Sequence, residues 1–314
     1  MQKESLSLVF LFANPMRRKF IFHQTPRKVV GWIGRLSLIL IILWGSSIFA
    51  QNSVVRDSVE QNKYNFSQFG RETLGFITQP FKWDGGDWLR VGLLGAGTFL
   101  IMQTTDIPIR NAVLKDQRYR KSFPIEFGNM WGELYFTEAL FGGFTIYALY
   151  AGDKTAHKIA FEIAQAAFYT FYVNGTLKYI IGRARPYLEQ GNQTYVPFST
   201  YTNPDHQSLP GGHTGIVMAL TTVLSRNAKP VWLKVLTYVP AALSVIGRVY
   251  LDKHWTSDVF FGGAIGYFAA TWVVDQHENA DENDSKKSQL GIRGINIHPY
   301  LSDDSYGLGL TLRF

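Results

Sequence analysis

Apolar residues along the chain gather into six segments separated by polar or Gly- and Pro-rich stretches. The segments cover residues 89–103, 134–151, 157–181, 213–225, 231–249 and 258–274. Their lengths and their Gly, Ala and aromatic content are typical of helices. Proline is rare inside them, and Pro240 is the exception, where a kink is expected. The pattern therefore predicts an all-α protein, a six-helix bundle over residues 89–274.

The same segments only partly fit membrane spans. Most are shorter than the roughly 20 apolar residues that cross a bilayer, and Glu162 and Lys234 place charges inside two of them. The mean hydropathy of the chain, −0.03, is low for a protein with many spans. The pattern is consistent with a partly embedded bundle and with a water-soluble one.

The chain begins with the layout of an export signal. A basic stretch precedes the apolar run LSLILIILW, small residues follow up to Ala50, and the chain turns polar from Gln51. These are the parts of a secretory signal. Residues 1–50 are therefore predicted to be a signal peptide or an N-terminal anchor, with cleavage after Ala50 favoured. Residues 51–88 are then an N-terminal extension.

The chain changes character after the last apolar segment. Residues 275–288 (DQHENADENDSKKS) carry many charges and few apolar groups, which predicts an exposed linker. In residues 289–314, the stretches GIRGINIHPYL and GLGLTLRF flank SDDSY, a pattern of two strands and a turn. A short C-terminal β-hairpin is therefore expected beyond the helical domain.

The net charge of +7 belongs to the leader, residues 1–50. That stretch holds seven Lys and Arg and one Glu, which leaves 24 basic and 23 acidic residues in the rest of the chain. Without a basic surface in the predicted domain, we expect no nucleic-acid partner. The absence of cysteine excludes disulfides, thiolate metal sites and cysteine nucleophiles.

Basic residues, glycines and histidines recur where the apolar segments end. In LKYIIGRARPY, Lys178 and Arg185 are seven apart, about two helical turns, so a helix would place them on one side. In SLPGGHTG, Gly211 and Gly212 form a turn before His213, and free N–H groups at a helix start bind anions. Taken alone, the first is equally a basic helix end and the second a plain Gly-rich helix start.

A third stretch, GRVYLDKHWTSDV, combines a cation, an imidazole and a carboxylate. Arg248 offers a planar fork of donors suited to phosphate oxygens. His254 and Asp258 are four apart, so a helix would put them on one face. Asp258 would then accept from Nδ1–H of His254 and leave Nε2 as a nucleophile. The plain alternative is a surface ion pair.

The three stretches together favour a single site over three unrelated helix ends. An antiparallel bundle can bring the ends of its helices to one place. The gathered groups would be three cations, an anion-binding turn, two imidazoles and a carboxylate. These are the groups that transfer a phosphoryl group through a phosphohistidine.

The three stretches resemble the signature of the type 2 phosphatidic acid phosphatase family, which includes bacterial acid phosphatases and vanadium haloperoxidases. That signature is Lys, six residues, Arg-Pro; then Pro-Ser-Gly-His; then Ser-Arg, five residues, His, three residues, Asp. The first stretch matches fully. Gly211 and Gly247 stand where the second and third parts have Ser. The lost hydroxyl at 211 would remove a charged hydrogen bond of about 1.5–3 kcal/mol to the phosphate.

The resemblance implies a fold, a reaction and a role for each residue. The fold is the family's helical bundle, over about residues 89–274. His254 would be the nucleophile, Asp258 its orienting partner and His213 the general acid. The phosphate would be held by Lys178, Arg185 and Arg248 and by the backbone at Gly211 and Gly212. The mechanism needs no metal ion and no cofactor.

The leader and the aromatic content of 15% point to a lipid phosphate or diphosphate as substrate. Phosphatidic acid, phosphatidylglycerophosphate, an isoprenoid diphosphate and lipid A remain open. The expected location is the periplasm or a membrane, inner or outer, with the site facing the periplasm. Four alternatives remain: a broad-specificity periplasmic acid phosphatase, a vanadate-dependent haloperoxidase, a non-catalytic outer-membrane or periplasmic binding protein, and a metalloenzyme, which three nearby cations disfavour.

Overall fold

The structure, a computed structural model, describes residues 63–198, 203–289, 294–302 and 305–313. The predicted leader, residues 1–50, lies outside the described residues, as do residues 51–62. The described residues form ten α-helices and two strands. They are α1 (Phe66–Ile77), α2 (Gly85–Thr104), α3 (Asp106–Lys115), α4 (Phe123–Trp131), α5 (Leu134–Ala151), α6 (Lys154–Ile181), α7 (Gly212–Asn227), α8 (Val231–Leu236), α9 (Val239–Tyr250), α10 (Thr256–Gln289), β1 (Gly294–Ser302) and β2 (Ser305–Arg313).

The helical class predicted from the sequence is confirmed, but the described residues hold more than six helices. Five of the six apolar segments correspond to α2, α5, α6, α7 and α10. The fifth segment divides into α8 and α9, and Pro240 lies in the first turn of α9, where a missing N–H costs nothing. Additional short helices form in stretches without an apolar pattern, namely α1, α3 and α4.

The core lies between α6, α7 and α10. Small and β-branched side chains dominate it, so the three helices approach closely. Its buried members are Ile163, Ala166, Ala167 and Tyr169 of α6, Ile216, Ala219, Leu220 and Val223 of α7, and Ala269, Ala270, Val273 and Val274 of α10. These helices begin or end at the three signature stretches, so the core fixes the position of those stretches.

Local signals define the ends of the core helix α6. The Asp153 side chain accepts hydrogen bonds from the backbone N–H groups of Thr155 and Ala156, which caps the start. Gly182 follows the last helical residue with φ of 61°, a left-handed conformation that glycine adopts without strain. The helix therefore stops before Arg183, earlier than the proline at 186 would require.

The outer surface carries many exposed apolar side chains. Phe81 and Tyr150 are each 91% exposed and Val231 is 75% exposed. Exposed apolar patches of this kind mark contact with a membrane, a partner or a ligand. Within the described residues, Val231–Tyr250 and Thr256–Ala280 are long and apolar enough to cross a membrane, by length and composition.

The predicted linker is part of a helix. Residues 275–288 continue α10 to Gln289, and His277 is buried rather than exposed. Arg226 on α7 donates to Asp275 at 2.8 Å and to Glu278 at 2.5 Å, which holds this turn of α10 against the bundle. Farther along the chain, β1 pairs antiparallel with β2, from Gly294 opposite Arg313 to Ser302 opposite Ser305.

Candidate active site

The first signature stretch leaves the helix before its second cation. Lys178 lies in the last turn of α6, whereas Arg185 follows Gly182 in an extended segment. The prediction that one helix face carries both cations is therefore wrong. Both still reach one loop, residues 203–211: Lys178 Nζ donates to the Gln207 carbonyl at 2.5 Å, and Arg185 Nε to the Pro204 carbonyl at 2.9 Å.

The second stretch starts α7, as predicted. Gly211 is the N-cap residue and Gly212 the first helical residue. The Gly211 N–H donates to the Asp258 carbonyl at 2.8 Å, so it does not face an anion. The prediction that the Gly211 backbone holds the phosphate is therefore wrong. Gly212 is half-buried in the first turn of α7, where backbone N–H groups have no partner within the helix, and it lies beside the Lys178 side chain.

Gly211 also explains why the family's serine is absent. A Cβ at this position would lie 2.6 Å from Thr214 Oγ1 and 2.9 Å from the Asp258 carbonyl oxygen. Both distances are shorter than a carbon atom tolerates, and the second involves backbone that cannot rotate away. At Gly247, the other Ser-to-Gly position, the nearest atom would be the Ile125 oxygen at 3.2 Å. A steric clash therefore explains the glycine at 211, whereas position 247 has more room for a side chain.

The third stretch turns between two helices. Arg248 is buried in the last turn of α9, and its Nη1 donates to Asn129 Oδ1 at 2.6 Å. His254 lies in the connection before α10, and Asp258 lies in the first turn of α10. The predicted helical pairing of His254 and Asp258 is therefore wrong in geometry. Their atoms Nδ1 and Oδ2 are 3.6 Å apart, too far for a hydrogen bond.

Asp258 instead joins the signature loops from a fully buried position. Its carboxylate accepts from Arg183 Nη1 at 2.5 Å, from the Trp255 N–H at 2.9 Å and from the Ser208 hydroxyl. A carboxylate at a helix start also complements the helix dipole. Asp258 therefore anchors the loops of all three stretches.

Arg183 and Asp106 are site residues that the sequence analysis did not assign. Arg183 is fully buried and bridges Asp258 to Asp106, whose Oδ2 lies 2.7 Å from Arg183 Nη2. Asp106 also accepts from the N–H and the hydroxyl of Ser257. Arg183 lies two residues before Arg185 in the same stretch, and this position was the signal that could have marked it. Nothing local marks Asp106.

His254 is an uncharged imidazole in a field of cations. It is 3% exposed, and its pKa lies well below the usual value because of burial and the nearby charges of Arg185, Lys178 and Arg248. Within the described part of the chain, Nδ1 of His254 has no hydrogen-bond partner. A buried polar atom without a partner is rare and calls for an explanation.

The pKa values of Lys178 and His213 are lowered like that of His254. Burial, with the charge of Arg185, lowers the pKa of Lys178. Burial and Arg248 lower the pKa of His213 to about 4, although Glu133 accepts from its Nε2 at 3.0 Å. Each shift disfavours positive charge. A bound anion would reverse the effect, because opposite charge favours the protonated form.

An apolar cleft of about 890 Å³ runs beside this site. One end, at Thr105 and Thr256, adjoins Asp106 and Ser257 of the buried network. The cleft is lined by Arg90, Leu93, Leu94 and Ile101 of α2, Thr105 just after it, Met218 of α7, Tyr238 and Val245 near and on α9, and Thr256, Val259, Phe260, Gly263, Ala264, Tyr267 and Phe268 of α10. By helix rise, α2 spans about 22 Å from Arg90 to Thr105.

The fold and the site define a helical bundle in which basic side chains near the helix ends lie close enough to a buried histidine to lower its pKa. Residues 160–282 match the family model described as the PAP2 superfamily, which confirms the resemblance drawn from the three stretches. These residues include every predicted site residue, from Lys178 to Asp258.

Two curated proteins are similar to part of the chain. Lipid A 1-phosphatase of Porphyromonas gingivalis is 30% identical over 103 residues, which is 31% of this chain and 20% of that protein. Undecaprenyl-diphosphatase of Sulfolobus acidocaldarius is 30% identical over 122 residues, 38% of this chain and 54% of that protein. The chain thus spans about a fifth and about half of these relatives. No solved structure matches the chain.

Proposed function

We propose that the protein is a metal-independent phosphatase that hydrolyses a lipid phosphate or diphosphate through a phosphohistidine. The observation that carries the proposal is the buried, uncharged His254 surrounded by Lys178, Arg185 and Arg248. A neutral imidazole is a nucleophile, and the cations balance the negative charge of a phosphate bound away from water. The PAP2 match and the two phosphatases among its relatives support the same reaction.

In the first step, Nε2 of His254 attacks phosphorus in line with the leaving oxygen. The N–P bond forms while the P–O bond breaks, and His213 gives the leaving oxygen a proton. The three cations stabilise the charge on the equatorial oxygens. Nδ1–H of the phosphohistidine then carries positive charge and faces Asp258, 3.6 Å away in the unliganded protein. A small closure on substrate would form that hydrogen bond.

In the second step, water attacks phosphorus and the N–P bond breaks. His213 takes a proton from the water, which restores the acid for the next cycle. Inorganic phosphate leaves, and His254 returns to its neutral form. The proton count is balanced, since the proton given to the leaving oxygen is recovered from water.

The apolar cleft supports a lipid rather than a small ester as substrate. It begins beside the buried Asp106 network and is lined mainly by apolar side chains. Its length of about 22 Å along α2 suits a single extended hydrocarbon chain. The exposed apolar surface supports membrane association, where such a chain would be met. The predicted export signal is the reason for proposing that the site faces the periplasm.

A phosphate-release panel tests the proposal. Purified protein is assayed in EDTA with phosphatidic acid, an isoprenoid diphosphate, lipid A and p-nitrophenyl phosphate, with and without vanadate. We expect release from at least one lipid, inhibition by vanadate and no requirement for divalent metal. Strict metal dependence or no release from any lipid would overturn the proposal. Release from p-nitrophenyl phosphate alone would indicate the broad-specificity acid phosphatase.

A substitution that fills the cleft tests whether the cleft binds the hydrocarbon chain of the lipid. Ala264 lines the cleft on α10, whereas Ala242 is exposed on α9 outside it. We expect Ala264→Trp to lower kcat/KM for the lipid about tenfold while the rate with p-nitrophenyl phosphate stays unchanged. Ala242→Trp, the matched control, should leave both rates unchanged. Equal losses on both substrates in Ala264→Trp would show that the cleft does not hold the chain.

A further inference from the structure

The corner between α4 and α5, residues 129–133, contacts the site from outside the signature stretches. Asn129 Oδ1 accepts from Arg248 Nη1 at 2.6 Å, and Glu133 Oε1 lies 3.0 Å from His213 Nε2. The corner also lies outside the region that matches the family model. Two predicted site residues therefore have partners that the signature does not contain.

The backbone of the corner is shaped for this approach. A Cβ at Gly132 would lie 2.9 Å from His213 Cβ and 3.0 Å from its Cδ2. A side chain at this position would push the imidazole and the corner apart. On the preceding turn, a Cβ at Gly128 would lie 2.2 Å from the Leu243 oxygen, so α4 also lies directly against α9. The corner is thus held close to His213 from two sides.

The charges that face His213 come from three elements. Arg248 on α9 and Lys253 in the following connection oppose a positive imidazole, and Glu133 at the corner favours it. His254 is a fourth titratable neighbour, since its own pKa is lowered by His213. In the proposed reaction His213 must hold a proton and release it. Among these groups, Glu133 is the one whose charge supports the protonated state.

We infer that Glu133 is a positioning residue of the proposed phosphatase: it holds His213 by Nε2 and stabilises the proton that His213 transfers. Nδ1, the other ring nitrogen, then delivers the proton to the leaving oxygen as the P–O bond breaks. His213 becomes neutral, Glu133 stays a carboxylate, and the proton returns from the attacking water. This inference rests on the proposed function, because it assigns a role within that reaction.

The test compares Glu133→Gln with wild type across pH on two substrates. Gln keeps the size and can still pair with the ring, but it lacks the charge. We expect the alkaline limb of kcat for the lipid phosphate to move down by about one pH unit, because loss of an opposite charge lowers a pKa by about that much. Hydrolysis of p-nitrophenyl phosphate should change less than twofold, because its phenolate leaves without a proton. Glu126→Gln, on the exposed side of α4, is the matched control and should match wild type on both substrates.

Two outcomes would overturn the inference while the proposed function stands. One is a pH profile of Glu133→Gln that superimposes on wild type. The other is an equal loss on both substrates, which would indicate a purely structural role. NMR titration of the His213 ring provides a readout that needs no turnover: we expect a lower pKa in Glu133→Gln than in wild type. An inactive wild type that still shows this pKa difference would reject the phosphatase and keep the pairing.

Discussion

Two buried clusters of carboxylates and histidine lie at opposite ends of the bundle, and they treat the imidazole differently. At the site, His254 lies among cations and its Nδ1 has no partner within the described residues. At the far end, His277 pairs both nitrogens, Nδ1 with Glu162 at 3.0 Å and Nε2 with Glu72 at 3.1 Å. Both ring nitrogens of His277 are hydrogen-bonded, whereas Nδ1 of His254 has no hydrogen bond within the described residues.

The difference in charge runs the same way. Burial opposes charge on His277, but the hydrogen bonds to Glu162 and Glu72 outweigh it, so the pKa of His277 is raised. Burial and cations both lower the pKa of His254. The same residue types therefore build a cluster with balanced charges at the far end and one with unbalanced charges at the proposed site. The imbalance at the site is what an anionic substrate would correct.

The largest effect is expected from removing the unsaturated imidazole. His254→Ala should reduce phosphate release by about 10⁴-fold or more, because the proposed nucleophile is lost. Its free energy of unfolding should fall less than that of His277→Leu, because the lost ring leaves a cavity but no buried partner of Nδ1 without a hydrogen bond. Phosphate release and urea unfolding of the same preparation measure both. Substantial residual turnover would mean that another group attacks phosphorus.

The reciprocal change at the far cluster should reverse the pattern. His277→Leu leaves Glu162 buried without its histidine partner, and breaking such a pair costs about 3–5 kcal/mol. Turnover per folded molecule should stay at the wild-type level. Urea unfolding followed by active-site-normalised rates would check this. A loss of turnover in the fully folded fraction would contradict the separation of the two clusters.

Restoring the family's serines should have small and unequal effects. Gly211→Ser should destabilise the protein by about 1–3 kcal/mol, because its Cβ meets the Asp258 backbone. Gly247→Ser, with its closest contact at 3.2 Å, should cost less than about 1 kcal/mol. Thermal unfolding of the two variants compares them. Higher turnover of Gly211→Ser without loss of stability would show that the pocket has room for the hydroxyl.

The smallest effect is the pH dependence of stability at the far cluster. Because the folded pKa of His277 is raised, its contribution is fully present below the unfolded value of about 6.5 and is lost as pH rises through the folded pKa. The free energy of unfolding should therefore fall above pH 6.5 in wild type by more than in His277→Leu. Identical slopes in urea titrations at several pH values would exclude this contribution.

Part of this picture is predictable from the sequence. Helices α2, α5, α6, α7 and α10 follow from apolar pattern and length, because burial of an apolar face is a local property of the chain. The spacing of the signature likewise pointed to His213, Arg248 and His254, because these residue types stand at its positions near the ends of apolar segments. Lys178 and Arg185 do contact the same loop, residues 203–211, but they do not lie on one face of a helix, as was predicted.

The rest depends on partners that are distant in sequence. Glu133 and Asp106 lie in stretches with no chemical pattern, and only the packing of α4 on α9 and the Arg183 bridge give them a role. The early end of α6 depends on Gly182 in a left-handed conformation. In the helical segment 275–288, His277 pairs with Glu162 and Glu72. Arg226 pairs with Asp275 and Glu278. These contacts between helices are not revealed by periodicity.

Helices α6 and α10 each carry a member of both clusters, at opposite ends. By helix rise, Glu162 and Lys178 are about 24 Å apart along α6, and Asp258 and His277 about 28 Å apart along α10. Two rigid helices therefore hold the two clusters at a fixed distance from each other. We expect a change in one cluster to affect the other only when the whole bundle unfolds. We therefore expect substitutions in the His277 cluster to change the fraction of folded molecules, and substitutions at the site to change the turnover of each folded molecule.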